Sequence, residues 1–105
     1  MEPNQIEIDA ITSFWKNHRD ILSQIPSLEL KSYRKDGATE TDWRIGGKID
    51  GRKMTITPFL DGSMFVISLD YFRHNRSEDV VVELLKIFVR DGKMGSEFFK
   101  LLKKK

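Results

Sequence analysis

Three Asp-Gly pairs divide the middle of the chain: Asp36-Gly37, Asp50-Gly51 and Asp61-Gly62. Asp-Gly between alternating apolar and polar residues favours a tight β-hairpin, because a type I′ turn needs a positive φ at both central residues. The spacing therefore predicts a four-stranded antiparallel meander, in which the turns fix the order and direction of the strands together. Its strands are predicted over residues 28–35, 42–49, 53–60 and 63–72.

Helical periodicity flanks the strand region on both sides. The predicted helices cover residues 5–25, 77–90 and 94–103, where apolar residues recur at three- and four-residue steps. Pro26 ends the first helix because it has no N–H, Ser77 is the expected N-cap of the second, and Gly92 fits the position after its end. This order predicts one α+β domain over 1–105, a two-layer sandwich with its helices on one face of the sheet and a short basic C-terminal tail.

Side chains of a strand alternate between the two faces of its sheet. One predicted face is apolar and is expected to lie beneath the helices: Leu28, Leu30, Trp43, Ile45, Ile49, Met54, Ile56, Leu60, Phe65, Ile67, Leu69 and Tyr71. The other is polar and is expected to be open: Lys31, Tyr33, Arg44, Lys48, Lys53, Thr55, Thr57, Val66 and Ser68. Gly46-Gly47 predicts a β-bulge or a close approach of another backbone segment. Pro58 predicts either that the third strand frays there or that its nitrogen, which carries no hydrogen, points away from a partner strand.

Composition narrows the function classes. The chain of 105 residues has no cysteine, which excludes disulfides and thiolate metal ligands. No apolar run approaches the roughly 20 residues that span a bilayer, and residues 1–25 lack a signal-peptide pattern, so we expect a cytoplasmic protein with no membrane partner.

Catalytic chemistry has little support in the sequence. The two histidines, His18 and His74, lie on different predicted elements, and no phosphate-binding or nucleophile motif is present. We therefore expect a protein that is not an enzyme and holds no metal or cofactor. A small hydrolase stays open as an alternative, because carboxylates distant in sequence can meet in a pocket.

The open sheet face is the strongest functional lead. Its predicted partner-binding residues are Lys31, Tyr33, Arg44, Lys48, Lys53 and Thr55. Basic groups on one flat surface attract anionic partners, so the first hypothesis is a protein-binding module with Tyr33 and Arg44 as anchors. If the partner is basic, the acidic outer face of the first helix is the expected surface instead. The alternative is nucleic-acid binding by the same face together with Lys103–Lys105. A third interpretation needs no partner, since a one-sided antiparallel sheet is always polar toward solvent and strand lysines oppose aggregation.

A second, weaker lead is the segment before the second predicted helix. Arg73, His74 and Arg76 are expected in a loop at the helix N-terminus, where free N–H groups and basic side chains can hold an anion. An ordinary solvated loop is the alternative, because Glu78 and Asp79 already place negative charge in the first turn of the helix.

The predicted element order resembles that of small α+β interaction modules, including RWD-type domains and several bacterial toxin-immunity proteins. The Tyr-Pro-x-x-x-Pro turn typical of RWD domains is missing from this sequence, so the resemblance concerns topology and assigns no residue a role. It implies a binding protein of the inhibitor, immunity or adaptor kind. Whether the chain is a monomer or a homodimer stays open, since Phe59, Val66, Phe72 and Phe99 exceed what one small core needs.

Overall fold

A computed structural model describes residues 5–34 and 41–104, with the side chains of Tyr33, Arg34, Thr41 and Asp42 left out. Its helices are α1 (Gln5–Asn17), α2 (Arg19–Leu22), α3 (Glu78–Asp91) and α4 (Ser96–Lys103). Its strands are β1 (Glu29–Arg34), β2 (Thr41–Ile49), β3 (Arg52–Pro58), β4 (Phe65–Leu69) and β5 (Phe72–Arg76). The strands form one antiparallel sheet in the order β1-β2-β3-β4-β5. The α+β architecture is confirmed, but the prediction of four strands is wrong, because the sheet has five.

The additional strand follows a turn that contains no glycine. Asp70 and Tyr71 link β4 to β5, and Asp70 adopts a φ of 54°. Asp is among the few residues other than glycine that enter the left-handed region readily. Its carboxylate also accepts hydrogen bonds from Arg52 Nε at 3.1 Å and from the backbone N–H of Lys53 at 3.2 Å, which tie the turn to β3.

Because the chain turns at Asp70, the segment after it forms a strand of its own. The predicted strand 63–72 is split at residue 70, and Arg73, His74 and Arg76 lie on β5 rather than in a loop. The loop prediction for these residues is therefore wrong. The sequence signal for the turn was weak, because a single Asp without a following Gly does not distinguish a turn from a strand end.

The three Asp-Gly pairs, each predicted to form a hairpin turn, differ in the structure. Asp50-Gly51 forms the two-residue turn expected, with φ of 51° and 75° and Ile49 paired with Arg52. Asp61-Gly62 does not, because Phe65 pairs with Pro58 and residues 59–64 form a longer loop. The first pair lies outside the described residues. Strand β3 ends at Pro58, which pairs with Phe65, so it is two residues shorter at this end than the predicted strand 53–60.

The first predicted helix is interrupted at His18, so the prediction of one helix over 5–25 is wrong. His18 has φ −115° and ψ 29°, and its ring lies 4.7 Å from the ring of Phe14. The ends of α3 follow the sequence. Ser77 Oγ accepts the N–H of Val80, and Gly92 closes the helix with a left-handed φ of 71°.

The hydrophobic core lies between the helices and one face of the sheet. Ile45, Ile56 and Ile67 are direct neighbours across β2, β3 and β4, and all three side chains are 0% exposed. Residues of the four helices complete this core: Ile11, Phe14, Leu22, Val81, Leu84, Leu85, Ile87, Phe98 and Leu102. Two residues assigned to the apolar face are exceptions, since Leu60 is 72% and Tyr71 97% exposed. Both lie in connections between strands, where the alternation of faces no longer applies.

The Gly46-Gly47 pair marks a close backbone approach and not a bulge. The pairing of β2 with β3 continues through both residues without an extra residue. A Cβ atom at Gly47 would lie 1.9 Å from the carbonyl oxygen of Ser27, so the segment before β1 passes directly against β2 at this point.

Within the two described ranges, no helix combines the length and the apolar character needed to cross a membrane.

Candidate partner-binding face

The sheet face opposite the helices is the candidate site, and we name it the open face. Among residues whose side chains are described, strand register places on this face Glu29, Lys31, Arg44, Gly46, Lys48, Lys53, Thr55, Thr57, Val66, Ser68, Arg73 and Asn75. The described helices pack on the other side, against the apolar residues of the core. Alternation along five strands therefore exposes one continuous surface with five basic side chains.

Two pairs of basic residues stand directly opposite each other on the open face. Lys31 is the register partner of Arg44 in β1 and β2, and Lys48 is the partner of Lys53 in β2 and β3. Like charges in opposed positions destabilise a sheet. Lys31 is partly compensated by Glu29, whose carboxylate lies 3.8 Å from its ammonium. Within the described residues, neither Lys48 nor Lys53 forms a side-chain ion pair.

The surface between these side chains is concave. A depression of about 570 Å³ is lined by Arg44, Lys53, Thr55, Thr57, Ser68, Asp70, Tyr71 and Arg73. A second, of about 700 Å³, continues from it toward β1. Arg44, Lys53 and Thr55 line both. Thr55 is paired with Gly46, whose missing side chain leaves space at the centre of the face.

Asp70 brings one carboxylate to the rim of the face. The hydrogen bond from Arg52 is the main cause that lowers the pKa of Asp70, and the bond from the Lys53 N–H adds to it. Because Arg52 already pairs with this carboxylate, Asp70 neutralises little of the charge of Lys53 and Arg73. The open face keeps its basic character.

The predicted site residues are brought together where their side chains are described. Lys31, Arg44, Lys48, Lys53 and Thr55 share the open face. Tyr33 holds the register position opposite Asp42, and its side chain lies outside the described part of the chain.

Arg73 is a member of the open face that sequence reasoning missed. It is paired with Ser68, next to Thr55. The available signal was the alternation from Phe72 to Arg76, which follows a possible turn residue, but this segment has no β-branched residue to favour a strand.

The predicted anion cluster at Arg73, His74 and Arg76 is not a single cluster. Arg73 faces the open side, whereas His74 and Arg76 occupy register positions of the helix side, opposite Ile67 and Phe65. Arg76 donates a hydrogen bond to the backbone carbonyl of Leu102 in α4. Burial lowers the pKa of His74, and the nearby positive charges of Arg76 and Lys103 lower it further. Anion binding by these residues stays a prediction.

In the part of the chain that the structure describes, no group of three acidic or histidine side chains is placed to hold a metal ion. Comparison of the chain with protein-family models, curated protein sequences and solved structures gives no match. The physical character of the surface is therefore the basis for a functional proposal.

Proposed function

We propose that this protein is a non-catalytic binding module, of the inhibitor, immunity or adaptor kind, that engages an acidic surface of another protein through the open face. The opposed lysines Lys48 and Lys53, which form no side-chain ion pair within the described residues, carry the proposal. Such pairs reduce the stability of the sheet, and an acidic partner would turn this repulsion into attraction. Selection for stability alone would favour opposite charges at the same positions.

The size of the open face suits a small protein interface. Five strands about 4.8 Å apart and about six residues long, at 3.3 Å a residue, span roughly 24 by 20 Å. This projected area of roughly 500 Å² lies below the ~800 Å² that each partner buries in a standard interface. A partner that covers the whole face would form a modest contact in which charge decides specificity and association rate.

Arg44 is the expected centre of such a contact. It lines both depressions and is half-buried between β1 and β3. Arg and Tyr are enriched among the residues that dominate binding energy, and such residues cluster near the middle of an interface. Tyr71 is a second candidate at the rim, because its side chain is 97% exposed beside Arg73.

Nucleic-acid binding through the same face is the second candidate. The exposed ring of Tyr71 beside basic side chains favours it, because single-strand binders combine base stacking with cationic contacts. Salt separates the two candidates. Binding to nucleic acid should weaken with salt at a log–log slope of roughly 0.7–0.9 per phosphate neutralised, whereas protein binding should depend on salt less steeply and survive nuclease.

The test is affinity capture from nuclease-treated and untreated lysate of the source organism, with wild-type protein and three variants. We expect one stoichiometric protein partner to survive nuclease, and the open-face variants Arg44→Glu and Lys48→Glu to lose it. The control Lys86→Glu makes the same charge change on the exposed side of α3 and should retain the partner. Equal capture by all three variants would remove the open face from consideration, and capture that disappears with nuclease would favour nucleic acid.

A further inference from the structure

Strand β5 forms one edge of the sheet, and the hydrogen-bond pattern shows which of its backbone groups face outward. The Asp70 N–H donates to the Lys53 carbonyl at 2.8 Å, next to the paired residues Met54 and Leu69. Opposed residues of antiparallel strands alternate between hydrogen-bonded and non-bonded pairs. Leu69 therefore directs its own N–H and C=O toward β5.

The alternation continues along β5. Phe72, opposite Leu69, uses its backbone groups to pair with β4, and so does His74, opposite Ile67. The N–H and C=O groups of Arg73 and Asn75 point away from β4, at the side where the described chain adds no further strand. Outward groups of this kind are the template for an added strand.

A groove lies beside this edge on the helix side, between β5 and α4. Its volume is about 350 Å³, and it is lined by Arg52, Leu69, Phe72, His74, Phe99, Leu102 and Lys103. Phe72 is 66% exposed at its mouth. Arg52 Cζ and Lys103 Nζ lie 5.5 and 5.7 Å from the centre of the Phe99 ring. The groove thus combines an apolar floor with a basic rim, and no acidic side chain of the described residues lines it.

The charges of β5 determine what can occupy its edge. A second copy of β5 would bring the basic side chains of both strands into one small patch, and charged edge residues of this kind oppose self-pairing. The same charges attract an acidic segment. Arg73 faces the open side and the cations Arg52 and Lys103 line the groove, so positive charge is available on both sides of an added strand.

We infer that β5 accepts an extended acidic segment of the partner protein as a sixth, antiparallel strand, with apolar side chains on the groove side and carboxylates on the open side. The inference rests on the proposed function, since it takes the ligand to be part of a protein. An added strand at β5 would contact both the open face and the groove. The carboxylates of the added strand would continue from Arg73 across the open face, and the groove would select the apolar residues.

The test uses a fluorescein-labelled peptide of eight residues in which Glu and Val alternate. We expect saturable binding by fluorescence anisotropy, and binding at least about tenfold weaker for the peptide with Lys in place of Glu, because like charges then face the basic edge. Hydrogen exchange followed by NMR should show new protection of the Arg73 and Asn75 amides. Absence of binding, or binding without this protection, would overturn the inference.

N-methylated peptides test the strand geometry directly. In the antiparallel arrangement, Glu residues lie opposite Arg73 and Asn75 and exchange backbone hydrogen bonds with them, whereas the N–H groups of Val point outward. N-methylation of the central Glu residues should reduce affinity at least about tenfold, and N-methylation of Val should leave it unchanged. Any other pattern contradicts the proposed pairing.

Three variants separate this inference from the proposed function. Phe72→Ala should weaken peptide binding several-fold, and Leu60→Ala, which removes an exposed apolar side chain from the loop between β3 and β4, should not. Lys48→Glu, on the far side of the open face, should abolish partner capture. If Lys48→Glu abolishes capture but the peptide does not bind, the open face survives and the edge-strand inference fails.

Discussion

The two faces of the sheet are formed by the same strands, but they differ in which side chains lie opposite each other on neighbouring strands. In β3, Met54 and Ile56 are fully buried on the helix side, whereas Lys53 and Thr55 between them face the open side. On the helix side, isoleucine stands opposite isoleucine in a close-packed row. On the open side, lysine stands opposite lysine. One face is organised for stability, and the other carries an arrangement that reduces it.

This contrast separates stability from function within one sheet. Apolar neighbours in the core gain free energy from burial and packing, so the helix side needs no partner beyond the helices. The opposed lysines Lys48 and Lys53 form no side-chain ion pair within the described residues. Natural proteins tolerate such local losses at functional sites, and the contrast is therefore consistent with the proposal that the open face binds a partner.

The largest expected effect is on the helix side. Ile56→Ala should lower the free energy of unfolding by about 2–5 kcal/mol, because it removes buried methyl groups and leaves a cavity between Ile45 and Ile67. Chemical denaturation measures this loss. The neighbouring Thr55→Ala, which removes a half-buried β-branched residue from the central strand, should lower stability by no more than about 1 kcal/mol. Comparable losses in the two variants would show that the open face is also a packed interior.

The adjacent glycines of β2 give the second contrast. Gly47→Ala should destabilise by about 1–3 kcal/mol, because its Cβ would collide with the Ser27 carbonyl and force the backbone apart. At Gly46, the nearest atoms to an added Cβ are 3.6 Å away, an ordinary contact.

Gly46→Ala is thus the matched control, and it should be neutral or stabilise by up to about 1 kcal/mol through reduced chain entropy. Thermal melts of the two variants measure the difference in stability between them. A melting temperature that falls equally in both would contradict the assignment of the two residues to opposite faces.

The turn between β4 and β5 is expected to make the stability of the protein depend on pH. The pKa of Asp70 is lowered in the folded state by Arg52 and the Lys53 N–H. The ionised carboxylate therefore stabilises the fold at neutral pH, and this contribution is lost as the pH falls below about 4, through the lowered pKa. Asp70→Asn, which keeps a residue tolerant of positive φ, should be less stable than wild type at pH 7.

The difference between Asp70→Asn and wild type should shrink as the pH falls, when measured by urea denaturation from pH 7 to pH 2. Arg52→Gln is the companion variant, because it removes the pair from the other side and should reduce the acid sensitivity in the same direction. A difference that is constant with pH would mean that the Asp70 charge contributes nothing to the turn.

The smallest expected effect is a gain in folding stability. Lys48→Glu replaces an opposed pair of like charges by an attractive pair with Lys53, and should stabilise the protein by about 0.2–1 kcal/mol at low salt. Lys48→Gln should lie between this variant and wild type. Both gains should decline in concentrated salt, which screens exposed charges. A loss of stability on Lys48→Glu would show that the repulsion between the lysines is already relieved.

The sequence correctly predicted the features that depend only on residues close together in the chain. Asp50-Gly51 forms its turn because both residues accept a positive φ, and Ser77 and Gly92 end α3 as caps. It failed at Asp70, where a turn without glycine depends on hydrogen bonds from Arg52, a residue distant in sequence. The same cause hid Arg73 from the candidate site, since a residue can join a face only after its strand is recognised.

The alternation of residues by itself determined which side chains share a face, because a strand has a period of two wherever it forms. The open basic face was visible in the sequence for this reason. Only the tertiary structure decided that β5 is the edge of the sheet, that a groove lies between it and α4, and that Gly47 meets Ser27. These features depend on contacts between segments far apart in the chain, and neither residue type nor spacing encodes such contacts locally.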